Sequence, residues 1–203
     1  MDLIELLKNQ ISPSVMEQFQ RESNASPEQT EVAVGGILSS ILGGLQQNSS
    51  TPQGAAALNN ALEQDHNGGL LNNLLSVLQG GSVEPQYERA ANGAGIIGHI
   101  FGANTGTIVD GISKATGIDT SNIGSMLIKL APVVMGVLGM VKSKGGLDTQ
   151  QVTGVLNNTV QENKSQNPLF AMVGKVLDQD GDGSFVDDLG NIGMNVLGSL
   201  FKR

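Results

Sequence analysis

Cysteine and tryptophan are absent from this 203-residue chain, and histidine occurs only at His66 and His99. The first absence removes disulfide frameworks, thiolate nucleophiles, zinc ribbons and iron–sulfur ligation together. Two histidines leave imidazole-rich metal centres and most acid–base triads without material. Basic residues are also few, 11 against 19 acidic ones, for a formal charge of −8. Binding to nucleic-acid phosphates needs a basic stripe, so nucleic acid is not an expected partner. The amino terminus, MDLIELLKNQ, has acids where an export signal carries cations and lacks a continuous apolar run. It reads as a retained, cytoplasmic chain. Strand signals are sparse as well, because aromatics are 3% of residues and alternating β-branched runs are nearly missing.

Helix punctuation, by contrast, is dense. Four prolines follow a capping residue, at Ser12-Pro13, Ser26-Pro27, Thr51-Pro52 and Asn167-Pro168. A side-chain oxygen at the N-cap accepts an orphan N–H, and proline at the first helical position has none to leave unpaired. Asp119 and Asp148 read as further caps, while Gly68-Gly69, Gly80-Gly81, Gly117 and Gly145-Gly146 read as stops. Helices are therefore expected near 2–10, 13–23, 27–47, 52–65, 70–79, 85–101, 106–116, 120–143, 149–162, 168–177 and 184–201. Val15, Met16 and Phe19 share one face, as do Ile108, Val109 and Ile112, at the spacing of a buried helical stripe.

The chain also matches itself. At a constant offset of 93, residues 16–45 lie on 109–138, so that Phe19 meets Ile112, Asn24 meets Gly117 and Ser26 meets Asp119. Ile37, Ile41, Leu42 and Leu45 then meet Leu130, Val134, Met135 and Leu138. Leu58-Asn59-Asn60 matches Leu156-Asn157-Asn158 at an offset of 98, and residues 97–101 match 197–201 at 100. The expected architecture is all-α: two tandem related helical units of about 95–100 residues, 1–103 and 104–203, packed into one compact helical body.

Three segments carry a family resemblance: Gly95-Ile96-Ile97-Gly98-His99-Ile100-Phe101-Gly102, Leu130-Ala131-Pro132-Val133-Val134-Met135-Gly136, and the acidic run from Asp178 to Asp188. Together they resemble the bacterial domain of unknown function numbered 937. The resemblance covers most of the chain and implies a soluble helical bacterial protein; it brings no catalytic or binding residues.

One segment has definite chemistry. Asp178, Asp180 and Asp182 occupy positions one, three and five, Gly183 is sixth, and the apolar Phe185 is eighth. This is the front of a calcium-binding EF-hand loop, in which alternate carboxylates converge and glycine permits the sharp turn. The Ser184 carbonyl adds a ligand. The usual closing Glu is replaced by Leu189, so closure falls to Asp187 or Asp188 in a slightly shortened loop. Calcium is favoured over magnesium because it accepts six to eight oxygens in flexible geometry. The expected cofactor is a single Ca2+, since the corresponding stretch Gln79–Glu84 lacks the acids. The alternative is a helix cap built on Ser184 and Asp187, which leaves Asp178 and Asp180 unexplained.

Other constellations are weak. Ile123–Val141 is long and apolar enough to cross a bilayer, but Lys129 interrupts it, and a buried helix bent at Pro132 is the favoured reading over membrane association. His66, before Gly68-Gly69, reads as a helix C-terminal residue where a cation is favoured, and His99 as an ordinary hydrogen-bonded histidine. No nucleophile elbow, phosphate loop or dinucleotide fingerprint is present. The functional expectation is a non-catalytic structural or interaction module with an unidentified protein partner. The rivals are a membrane-associated protein and a hydrolase with polar groups converging around His99.

Overall fold

The computed structural model describes residues 3–66, 71 and 81–164. Helix α1 (Leu3–Gln10) is followed by α2 (Pro13–Ser23), α3 (Pro27–Asn48) and α4 (Pro52–Gln64). A 3-10 turn (Pro85–Tyr87) precedes α5 (Gly93–Phe101), and a second (Gly102–Asn104) leads into α6 (Thr105–Thr116), α7 (Thr120–Gly145) and α8 (Thr149–Lys164). The all-α expectation holds: no strand occurs among the described residues. The expected helices at 70–79, 168–177 and 184–201 lie wholly or mostly outside the described residues.

The helix starts are chemical as much as statistical. Ser26 Oγ accepts from the Gln29 N–H at 3.2 Å, and the Gln29 side chain accepts from the Ser26 N–H at 2.9 Å. Asp148 and Gln151 make the same reciprocal pair at 2.8 and 2.9 Å. Thr51 Oγ1 accepts from the Gly54 N–H at 3.1 Å. Ser12 and Asp119 stand at the cap position without such a bond; Ser12 Oγ instead lies 2.8 Å from Ser14 Oγ. Ends are set by left-handed residues, Asn24 at φ 52°, Gly117 at φ 74° and Gly146 at φ 59°. Ser26→Ala should cost about 1 kcal/mol, measured by urea unfolding, because it removes the hydroxyl that accepts from the Gln29 N–H and leaves only the backbone half of the capping box.

One expected helix divides. The stretch 85–101 forms a 3-10 turn, a loop and then α5, whose first turn is capped by Asn92 Oδ1 accepting from the Gly95 N–H at 3.0 Å. Asparagine competes for local backbone donors, and the Gly93 that follows is a poor helix interior but a good close-contact residue. Its backbone is pressed against the Ile128 carbonyl. That carbonyl is four residues before Pro132, which has no N–H to donate to it. Helix α7 nonetheless runs through Pro132, with the proline buried.

Two long helices, α3 and α7, pack together at the centre and are buried along most of their length. Helix α3 carries α8, α6 and α2, while α7 carries α5, α6 and α4; α1 lies against both central helices, and so does α5. Phe19, Ile37, Ile41, Ile108, Ile112 and Leu130 are fully enclosed. Helix α7 is long and apolar enough to cross a membrane by composition, but 72% of its most apolar stretch is buried inside the protein. Lys129 does not interrupt that burial, because its Nζ reaches Glu22 at 2.7 Å and stands 5.9 Å from the Phe19 ring centre.

Candidate functional site

The predicted calcium ligands Asp178, Asp180, Asp182, Ser184, Asp187 and Asp188 lie outside the described residues. Among the described residues, no cluster of three or more His, Asp or Glu could hold a metal ion.

The described residues do form a cleft of about 710 Å³ between α4 and the start of α5, with α3 and α7 beneath. Leu45, Leu58, Ile96, Ile100 and Met135 supply apolar lining. Asn48, Asn60, Asp65, His66, Arg89 and His99 supply the polar lining. Each wall has a local cause. The Thr51 cap fixes the start of α4, and Gly54 is required there because its backbone abuts the Asn48 carbonyl. Asn48 bridges to the opposite wall, its amide donating to the His99 and Ile100 carbonyls at 3.2 and 3.1 Å. Gly44 lets Ile100 and Phe101 settle directly on α3. At the rim, Arg89 Nε meets Asp65 Oδ2 at 3.2 Å, joining the end of α4 to the segment before α5. Below α4, the Lys142 ammonium donates to Glu63 at 2.9 Å; with Asn59, it holds that carboxylate below its usual range.

His66 departs from its expected role. It is 3% exposed rather than displayed at a helix end, and its Nδ1 is buried with no hydrogen-bond partner among the described residues. Burial pushes its pKa down to about 4, although the Asp65 charge opposes that shift. The imidazole is therefore neutral at pH 7, and the expected favourable cation is not there. His99 is exposed, and what it contributes to the bridge is its backbone carbonyl. Both histidines thus line one cleft, a convergence that sequence reasoning did not find. Its signal was present in the small residues Gly54, Ala57 and Ala61, one helical turn apart along α4.

Chemically, the cleft offers a neutral imidazole, amides and an internally compensated ion pair over an apolar floor. No Ser, Thr or Cys is among the described residues that line it. The architecture is that of a helical protein built on two buried central helices. Residues 5–141 match the family described as bacterial protein of unknown function (DUF937), and the chain belongs to that family. No curated protein and no solved structure matches it.

Proposed function

We propose that this protein is a non-catalytic structural or interaction module, made of two related helical units folded through one another and closed by a single calcium ion. The packing around α3 and α7 carries the reading: with the units taken as 1–103 and 104–203, α3 is covered mainly by α6, α7 and α8, and α7 mainly by α3, α4 and α5. Local details support relatedness. At the offset of 93, Val15 and Ile108, Phe19 and Ile112, and Ile41 and Val134 are buried pairs. Ser23 Oγ donates to the Phe19 carbonyl at 2.6 Å, and Thr116 Oγ1 donates to the Ile112 carbonyl at 2.8 Å, the same bond 93 residues on. The Asn24 and Gly117 N–H groups likewise reach the Gln20 and Ser113 carbonyls.

The calcium part of the proposal rests on sequence. Asp178, Asp180, Asp182, the Ser184 carbonyl and Asp187 or Asp188 are the ligands, and the ion replaces mutual repulsion by shared coordination. Calcium at a hundredfold excess over Kd should stabilise by about 2.7 kcal/mol, raising Tm by roughly 5–10 °C for a chain of this size. Asp180→Ala should abolish that rise. A Tm indifferent to millimolar calcium would overturn the ion's role.

A cytoplasmic location and an unidentified protein partner complete the proposal. The burial of α7 and the pairing of Lys129 support a soluble body over a membrane-associated one. Liposome co-sedimentation should leave the protein in the supernatant. The polar groups around His99 favour the hydrolase reading, while the lack of a hydroxyl or thiol nucleophile among the described lining residues weighs against it.

A further inference from the structure

We propose that the cleft between α4 and α5 binds an uncharged small molecule with an apolar body and one hydrogen-bonding group. This site is independent of the calcium loop and follows from a difference between α4 and α8. The two helices correspond at an offset of 98, and the core-facing pairs agree: Leu58 and Leu156 are buried, as are Leu62 and Val160. The cleft-facing pairs do not agree. Where α4 has Gly54, Ala57 and Ala61, α8 has Val152, Val155 and Thr159. Val152 and Thr159 are buried and Val155 packs against the core. Helix α1 closes directly on α8, whereas α5 faces α4 across open space. One half of the molecule has filled this position and the other has hollowed it out by removing side-chain volume.

A second observation points to an occupant. His66 stands in the cleft wall, almost wholly buried, with Nδ1 unpartnered among the described residues. Leaving a buried polar atom unpaired costs about 1–3 kcal/mol, a cost that a ligand hydrogen bond would recover. The charges decide the ligand class. Asp65 and Arg89 neutralise one another at 3.2 Å, the buried His66 imidazole is neutral, and amides make up most of the remaining polar lining. Such a site has no surplus charge to offset the desolvation of an ion. The cleft volume lies in the range that encloses small organic ligands.

The probe for the test is N-phenylnaphthylamine, uncharged and apolar with one N–H donor, whose fluorescence rises when it leaves water. Titration into the full-length protein should give a saturable, one-to-one signal. Ala57→Val combined with Ala61→Thr gives α4 the side chains of α8 and should weaken binding by on the order of tenfold or more, with Tm unchanged or higher. Ile96→Trp fills the cleft from the α5 side and should do the same, so the test survives if the double variant does not fold. The sulfonated analogue anilinonaphthalenesulfonate should bind on the order of tenfold more weakly than the neutral dye. Absence of saturable binding, or equal affinity in wild-type protein and a folded filled variant, would overturn the site. Equal affinity for the anionic dye would overturn the ligand class.

Discussion

Gly93→Ala should destabilise the protein by about 3 kcal/mol, at the upper end of overpacking effects, and lower Tm by roughly 6–12 °C. The same substitution at Gly98, in the same helix, should instead stabilise by about 1 kcal/mol, the helix-propensity difference between alanine and glycine. The contrast comes from what a methyl group would meet. At Gly98 it meets nothing within 4 Å. At Gly93 it would run into the Ile128 carbonyl, which belongs to backbone and has no rotamer to change. This is the carbonyl to which Pro132, four residues on, has no N–H to donate, so α5 docks at the gap that the proline leaves in the α7 hydrogen-bond ladder. Relief requires α5 to lift, which also disturbs Ile97, Ile100 and Phe101 in the core. Paired chemical denaturation of the two variants checks both signs. Equal effects would mean that α5 does not approach α7 this closely.

Acidification should cost about 3 kcal/mol between pH 6.5 and pH 4 through His66 alone, given a folded pKa of about 4 against 6.5 for the free side chain. The unfolded chain binds the proton throughout that window and the folded one does not, so the contribution is complete above pH 6.5 and lost as pH falls. Burial is the main cause, and the nearby Asp65 charge only moderates it. His66→Leu removes the titrating group, so its stability should change less across the same window by that amount. Urea midpoints at pH 7, 5.5 and 4.5 make the comparison. A wild-type profile as flat as the variant's would place His66 in solvent.

Much of this architecture could be read from the residues because helix ends are written locally. Ser26, Thr51 and Asp148 cap as their side-chain chemistry requires, and Asn24 and Gly117 turn the chain at corresponding places. The division of 85–101 was hidden, since Asn92 and Gly93 continue an apolar pattern and only the contact with α7 shows why α5 begins there. The cleft was less legible for a similar reason. A small residue in a helix can mean close packing or empty space, and Ala57 means the latter only because α5 stands across from it. His66 was misread because its sequence neighbours, Asp65 and Asn67, are polar, whereas its surroundings in the fold exclude water.

The dependence of each half on the other can be measured by cutting the chain between Ala103 and Asn104. With α3 covered mainly by α6, α7 and α8, and α7 mainly by α3, α4 and α5, a fragment of residues 1–103 or 104–203 loses most of the partners of its own central helix. Neither fragment should unfold cooperatively as a monomer by circular dichroism, and mixing them should restore helix in an equimolar complex. A fragment that melts cooperatively as a monomer would contradict the interlocked architecture.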